Sequence, residues 1–198
     1  MSRKTWKMLG GLVGVTLLAF GLSLASVSQR NQRASRACSV IADFGGKIFR
    51  QSSRPNWLAK LIGGENDVML VDLSHCGLTD AKCQLVVSHL DAFPSLTTLL
   101  LGGNPITDAG LLEILKLDRL VQLDVSETQT SDRGLSYLAK HKRLRELRLD
   151  HNQVTDAGMH ELGILTTLRE LSVSNTGVTD DGLAHLAAVR PMLIVTDD

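Results

Sequence analysis

Aromatic residues are scarce in this sequence: two Trp, one Tyr and four Phe make up 4% of 198 residues. Without large rings, a core has to be built from repeated aliphatic layers, and leucine dominates the apolar set. An excess of basic charge is also missing, since 21 Lys and Arg balance 21 Asp and Glu. The balance is uneven along the chain. Residues 1–37 hold Arg3, Lys4, Lys7, Arg30, Arg33 and Arg36 and no acid; removing these six leaves 15 basic against 21 acidic residues in 38–198, a net charge of about −6. An acidic body excludes nucleic acid as a partner, because phosphate binding needs a basic stripe that releases counterions.

Catalytic constellations are absent as well. His160-Glu161 opens like a zinc-protease helix, but the place of the second histidine holds Gly163 or Ile164. There is no Walker loop, and the clustered Gly10, Gly11 and Gly14 lie in an apolar run. His75, His89, His141, His151, His160 and His185 are scattered over expected turns and helix faces, where solvation is expected. Of three cysteines, Cys76 and Cys83 fall at repeat positions that suit small core residues better than a disulfide, and Cys38 is left over. No catalytic residue, metal or cofactor is expected.

The apolar run is the first positive feature. Met8 to Val27 (MLGGLVGVTLLAFGLSLASV) is twenty residues without charge, about what a helix needs to cross roughly 30 Å of hydrocarbon. Basic residues flank it on both sides, so charge asymmetry does not set its orientation. It reads as a single transmembrane anchor; the competing reading is a signal segment cleaved near Ser23-Leu24-Ala25. Gly10 and Gly14 have the spacing of a close helix–helix contact in lipid, a candidate homodimer contact, although glycine is common in such segments.

The rest of the chain repeats. LTTLLLGGNPITDAGLLEILKLDR begins at Leu96, LVQLDVSETQTSDRGLSYLAKHKR at Leu120, LRELRLDHNQVTDAGMHELGILTT at Leu144 and LRELSVSNTGVTDDGLAHLAAVRP at Leu168, each of 24 residues. An earlier copy from Val68 to Ser95 has 28, about one helical turn more. Within a copy, Leu120, Leu123 and Val125 mark one face of a strand, and Leu135 and Leu138 one face of a helix. The unit is strand, turn, helix, and such copies bury their leucines only by stacking.

Cys76, Asn104, Thr128, Asn152 and Thr176 share the strand exit, where small polar side chains bond the backbone. Thr79-Asp80, Thr107-Asp108, Ser131-Asp132, Thr155-Asp156 and Thr179-Asp180 start the helices: the hydroxyl is expected to cap free N–H groups and the carboxylate to favour the helix dipole. Gly110, Gly134, Gly158 and Gly182 follow, where a missing side chain permits close helix packing.

These motifs divide the chain into a basic leader (1–7), the apolar segment (8–27), a juxtamembrane helix and cap (28–67) and a repeat domain (68–198). The copies occupy 68–95, 96–119, 120–143, 144–167 and 168–191, with a final strand at 192–195. Trp57, Leu58, Leu61 and Ile62 recur at helical spacing before Gly63-Gly64 and are expected to lid the first repeat. The last strand is followed only by Thr196-Asp197-Asp198, an edge protected by charge or by another chain.

The pattern L-x-x-L-x-L-x-x-N/T-x-V-T-D-x-G-L, as in LRELRLDHNQVTDAGM and LRELSVSNTGVTDDGL, resembles the short leucine-rich repeat of bacterial surface and envelope proteins. The resemblance covers 68–195 and implies an α/β solenoid with short parallel strands on the concave face and helices on the convex face. The preceding segment, with Gly45-Gly46-Lys47-Ile48-Phe49 and Pro55-Asn56-Trp57-Leu58, is similar to that of membrane-anchored bacterial members. This implies a single-pass protein of the bacterial cytoplasmic membrane with its repeats outside the cytoplasm, or a secreted or periplasmic one after cleavage. The repeats are also similar to those of eukaryotic F-box receptors, but the apolar segment fills the place of an F-box.

The surface expected to bind is the concave face, where Gln122, Asp124, Arg145, Glu146, Arg148, Asp150, Arg169 and Glu170 stand outward. Their mixed charge with several arginines suits a protein partner. The competing reading is a solvated face with internal pairs, Arg145 with Glu170 or Glu146 with Arg169. The function expected is that of a non-catalytic, membrane-displayed protein-binding scaffold; the alternative is a structural, self-associating envelope protein without a specific ligand.

Overall fold

The computed structural model describes residues 28–50 and 68–197. The apolar run 8–27, the Gly10/Gly14 pair and the Trp57–Ile62 pattern lie outside the described residues. Among those described, no helix is long and apolar enough to cross a membrane.

A helix, α1 (28–43), opens the described chain. It presents Ala34, Ala37 and Ile41 to the core, all fully buried, at the helical spacing of one face. The chain reverses at Gly45, whose φ of +80° favours glycine. A Cβ on Gly46 would stand 2.5 Å from Leu73 Cδ2 and 2.8 Å from Ile41 Cγ2, so only a glycine lets the chain pass between α1 and the sheet. Strand β1 (Lys47–Arg50) follows and pairs antiparallel with β2 (Val68–Asp72). The sequence reading contained no such strand. The described part of the N-terminal cap is thus α1 plus an antiparallel strand.

From β2 onward strands and helices alternate: α2 (Asp80–Leu90), β3 (Thr98–Leu100), α3 (Asp108–Ile114), β4 (Gln122–Asp124), α4 (Asp132–Leu138), β5 (Glu146–Arg148), α5 (Asp156–Leu162), β6 (Glu170–Ser172), α6 (Asp180–Val189) and β7 (Ile194–Thr196). The sheet runs in chain order from β1 to β7, parallel after the first pair. Thr98 lies opposite Gln122, Gln122 opposite Glu146, Glu146 opposite Glu170 and Glu170 opposite Ile194, each pair 24 residues apart. Leu70 and Thr98 are 28 apart. The four extra residues match α2, which has 11 residues where α3, α4 and α5 have seven.

Inward residues form one continuous core between sheet and helices. Leu99, Leu123 and Leu147 come from the strands and Leu111, Leu135 and Met159 from the helices, all essentially fully buried. Each large aliphatic side chain removed from water contributes about 1.5–3 kcal/mol before the entropy of ordering it. Alternation fixes the register, since a slip of one residue would turn every leucine outward.

Candidate functional site

The outward strand positions form columns across the sheet. One runs Thr98, Gln122, Glu146, Glu170 and Ile194; the next runs Leu100, Asp124, Arg148, Ser172 and Thr196. Arg145 and Arg169 precede β5 and β6, and the Arg145 carbonyl accepts from the N–H groups of Arg169 (2.7 Å) and Glu170 (2.9 Å). All eight sequence-selected residues therefore lie on or beside β4, β5 and β6. A groove of about 400 Å³ opens over the later strands, lined by Glu146, Arg148, Asp150, Glu170, Ser172, Ile194 and Thr196, among others.

The eight are not equivalent. Asp124 Oδ1 accepts from the Ser126 N–H at 2.9 Å. Asp150 Oδ1 accepts from Ser172 Oγ at 2.6 Å and from the Ser174 N–H at 2.8 Å. These two carboxylates hold the strand exits. Gln122 Oε1 accepts a long bond of 3.4 Å from Thr98 Oγ1. The internal pairs Arg145–Glu170 and Glu146–Arg169 do not form. Among the described residues the ion pairs are Lys116–Glu113, Arg119–Asp91 and Arg119–Asp118, at the C-terminal ends of α2 and α3. The physical reason lies in the register: the columns place Glu146 against Glu170, acid facing acid. Arg145, Arg148 and Arg169 are exposed and without a carboxylate partner among the described residues.

Behind this face, two polar ladders tie successive repeats together. Asn104 Oδ1 accepts from the Leu78 N–H, while its Nδ2 donates to the carbonyls of Leu73 and Leu101. Asn152 bonds Thr128, the Thr130 N–H and the carbonyls of Val125 and Leu149 in the same way. The second ladder corrects the reading of the helix starts. Thr107, Ser131 and Thr155 do cap their own helices, accepting from the N–H groups of Ala109, Arg133 and Ala157; Thr79 and Thr179 make no such bond. The aspartates reach across to the next repeat. Asp80 bonds the N–H and hydroxyl of Thr107, Asp108 those of Ser131, Asp132 those of Thr155 and Asp156 those of Thr179. Hydrogen bonds from Thr179 hold the Asp156 carboxyl below the usual aspartate range.

Sequence reasoning missed a column at the rim. His75, Gly103, Glu127, His151 and Asn175 all adopt left-handed backbone, with φ between 53° and 69°. The turn aims their N–H groups along the solenoid: those of His75, Gly103, Glu127 and His151 donate to carbonyls of Gly102, Ser126, Asp150 and Ser174. The signal was present in Gly103 and Asn175, residue types that tolerate this region.

His75, His151, His160 and His185 are exposed, as expected of turns and helix faces, and His89 is half-buried; His141 departs from that expectation. His141 is buried; its Nε2 faces the Leu117 carbonyl at 3.2 Å and its Nδ1 accepts from the N–H groups of Arg143 and Leu144. His160 and His185 meet on neighbouring helices, with ring centroids 3.9 Å apart. Among the described residues no group of three or more His, Cys, Asp or Glu is placed to hold a metal ion. All three cysteines are free thiols. Burial, then the charges of Asp80 and Glu113, pushes the Cys83 thiol up to about 12, and burial followed by Asp72 raises Cys76. Neither forms a nucleophilic thiolate readily at neutral pH.

Parallel strands in chain order, helices behind them and an asparagine ladder at the strand exits define a leucine-rich-repeat solenoid. The leucine-rich-repeat family profile matches residues 94–115, 141–163 and 165–187. Among solved structures, an internalin from Listeria monocytogenes is 32% identical over 56% of this chain and 31% of its own, with a TM-score of 0.43. A leucine-rich-repeat protein from Leptospira interrogans is 23% identical over 55% of this chain and 27% of its own, with a TM-score of 0.41. The chain thus spans less than a third of the length of either. No curated protein matches it.

Proposed function

We propose that the chain is a non-catalytic scaffold, displayed on a bacterial membrane, that recognises a protein through the concave strand face. The observation that carries this reading is the set of charged side chains that, among the described residues, have no ion partner on the sheet: Arg145, Arg148 and Arg169 beside Glu146 and Glu170. A solvated face with internal salt bridges would have paired them. Like charges directly opposite on neighbouring strands destabilise a sheet, and a partner of complementary charge offsets that repulsion. Arginine supplies a planar fork for carboxylates and a flat surface for rings. Membrane display rests on the uncharged run 8–27 with its basic flanks, and the resemblance to anchored bacterial repeat proteins supports the reading of a cytoplasmic-membrane location with the repeats outside.

Photo-crosslinking from positions 148 and 170 in intact cells, with position 112 on the helical side as control, tests the binding surface. One discrete adduct from 148 or 170 and none from 112 supports it; equal labelling from all three removes the concave face as the site. Protease treatment of cells and spheroplasts tests display. A full-length chain that resists carbonate extraction and is digested only once the envelope is opened supports the anchor, whereas a shortened soluble form identifies a signal segment.

A further inference from the structure

Among the described residues, the seven-stranded sheet has an open edge at each end: β1 has no strand beyond it, and neither has β7. The two ends differ in charge. On α1 and β1, Arg33, Arg36, Lys47 and Arg50 are exposed, with Asp43 as the one acid of residues 28–50; at the other end Asp180, Asp181 and Asp197 are exposed. Arg190, the basic residue closest in sequence to β7, is turned inward onto the carbonyls of Leu165, Thr166 and Leu168. Asp180 occupies the place from which Asp80, Asp108, Asp132 and Asp156 clasp a following Thr or Ser, and among the described residues it has no such partner. Both edges also expose apolar side chains, Phe49 at 52% on β1 and Met192 at 80% and Ile194 at 62% on or beside β7. Exposed strand edges of this kind are templates for pairing with another chain.

Strand direction limits how two copies can join. Because β1 runs antiparallel to β2, a β7 that pairs antiparallel with β1 of a second copy leaves β2 to β7 of both copies running the same way. The junction then has the sense of the existing β1–β2 pair. It places Phe49 near Ile194 and the basic end against the acidic one. A two-fold pairing of β7 with β7 would instead crowd Asp180, Asp181 and Asp197 of both copies together, and like charges across an interface oppose association. We propose that β7 of one copy pairs antiparallel with β1 of a second copy, so that the protein associates head to tail. Such a contact joins different surfaces and adds copies until geometry closes a ring or does not. It is independent of Gly10/Gly14.

Sedimentation velocity of the full chain in detergent reads the assembly. The wild type is expected to form concentration-dependent oligomers that dissociate at about 1 M salt, where the screening length falls to roughly 3 Å. One variant carries Lys47→Glu and Arg50→Glu; the other carries Asp180→Lys, Asp181→Lys and Asp197→Lys. Each alone is expected to weaken association roughly tenfold or more, and mixing the two restores it, because the altered end of one matches the altered end of the other. Val195→Pro removes an N–H that points away from β6, since the Ile194 N–H already donates to Arg169 O. It is expected to abolish association with unchanged circular dichroism. A wild type that stays single at all concentrations overturns the proposal, as do oligomers that survive both charge reversals, fail to re-form on mixing, or vanish only with Gly10→Leu and Gly14→Leu.

Discussion

Asp132 grips Thr155 with both carboxylate oxygens: Oδ1 takes the backbone N–H at 2.8 Å and Oδ2 the hydroxyl at 2.7 Å. The Thr155 hydroxyl in turn caps α5 through the Ala157 N–H. One carboxylate therefore fixes where the next helix begins. Asp132→Ala is expected to lower the unfolding free energy by about 1–3 kcal/mol, two charge-assisted bonds discounted for their partial exposure. Urea denaturation measures it. An unchanged midpoint would mean that water replaces the carboxylate without loss.

The same grip by Asp156 carries a pH signature. Its folded pKa lies below the ordinary aspartate value because Thr179 bonds the ionised form. Its contribution is thus fully present above about pH 4 and is lost as pH falls through the lowered folded value. Thermal melts of wild type and Asp156→Asn are expected to converge as pH drops below that point. A constant gap down to pH 2 would remove the carboxylate from the clasp.

Gly158→Ala separates packing from helix propensity. Propensity alone favours alanine by about 1 kcal/mol, but the added Cβ would lie 2.5 Å from Asp132 Oδ1 and 2.7 Å from Leu135 Cδ1. The expected sign is therefore destabilising, by about 1–3 kcal/mol. A stabilised variant in urea would show that the neighbouring repeat gives way without cost.

Asn104 is buried and bonds the Leu78 N–H and two carbonyls. Asn104→Ala strands these backbone groups and is expected to cost about 2–4 kcal/mol, the desolvation penalty of more than one orphaned group. Hydrogen exchange of the Leu78 amide reports the loss locally, with faster exchange expected there than around Leu147.

Cys83 offers a probe of unfolding. With its thiol raised to about 12 inside the core, it is expected to resist iodoacetamide at neutral pH and to react only when the repeat opens. Mass spectrometry after a short pulse would show label on Cys83 appearing with the denaturation midpoint; rapid labelling of the folded chain would contradict its burial.

The strands and the inward face were legible because the spacing of Leu120, Leu123 and Val125 admits one orientation. Asp132 was legible only as a local signal. Its partner lies 23 residues away, and the caps and dipole of one helix explain an acid in the first turn well enough without it. Aligned copies do contain the cross-repeat relation, since Asp132 and its partner Thr155 fall in neighbouring columns. The same alignment sets Glu146 beside Glu170, which a search for opposite charges passed over. His141 replaces the Leu117 and Leu165 of adjacent repeats, so its burial could be read from its column. Strand β1, four residues of KIFR, is too short for alternation to separate it from a loop.

The aspartate clasps belong to no single repeat, because each joins two. Opening a repeat in the middle of the stack breaks a clasp on both sides, whereas opening a terminal one breaks a single clasp, so unravelling is cheapest from the ends. The end beside β2 is held by α1 and the antiparallel β1, and β7 with α6 has no such support among the described residues. Within the described repeats, β7 and α6 are expected to open before the strands around Leu99 and Leu123, with amide hydrogen exchange fastest at β7.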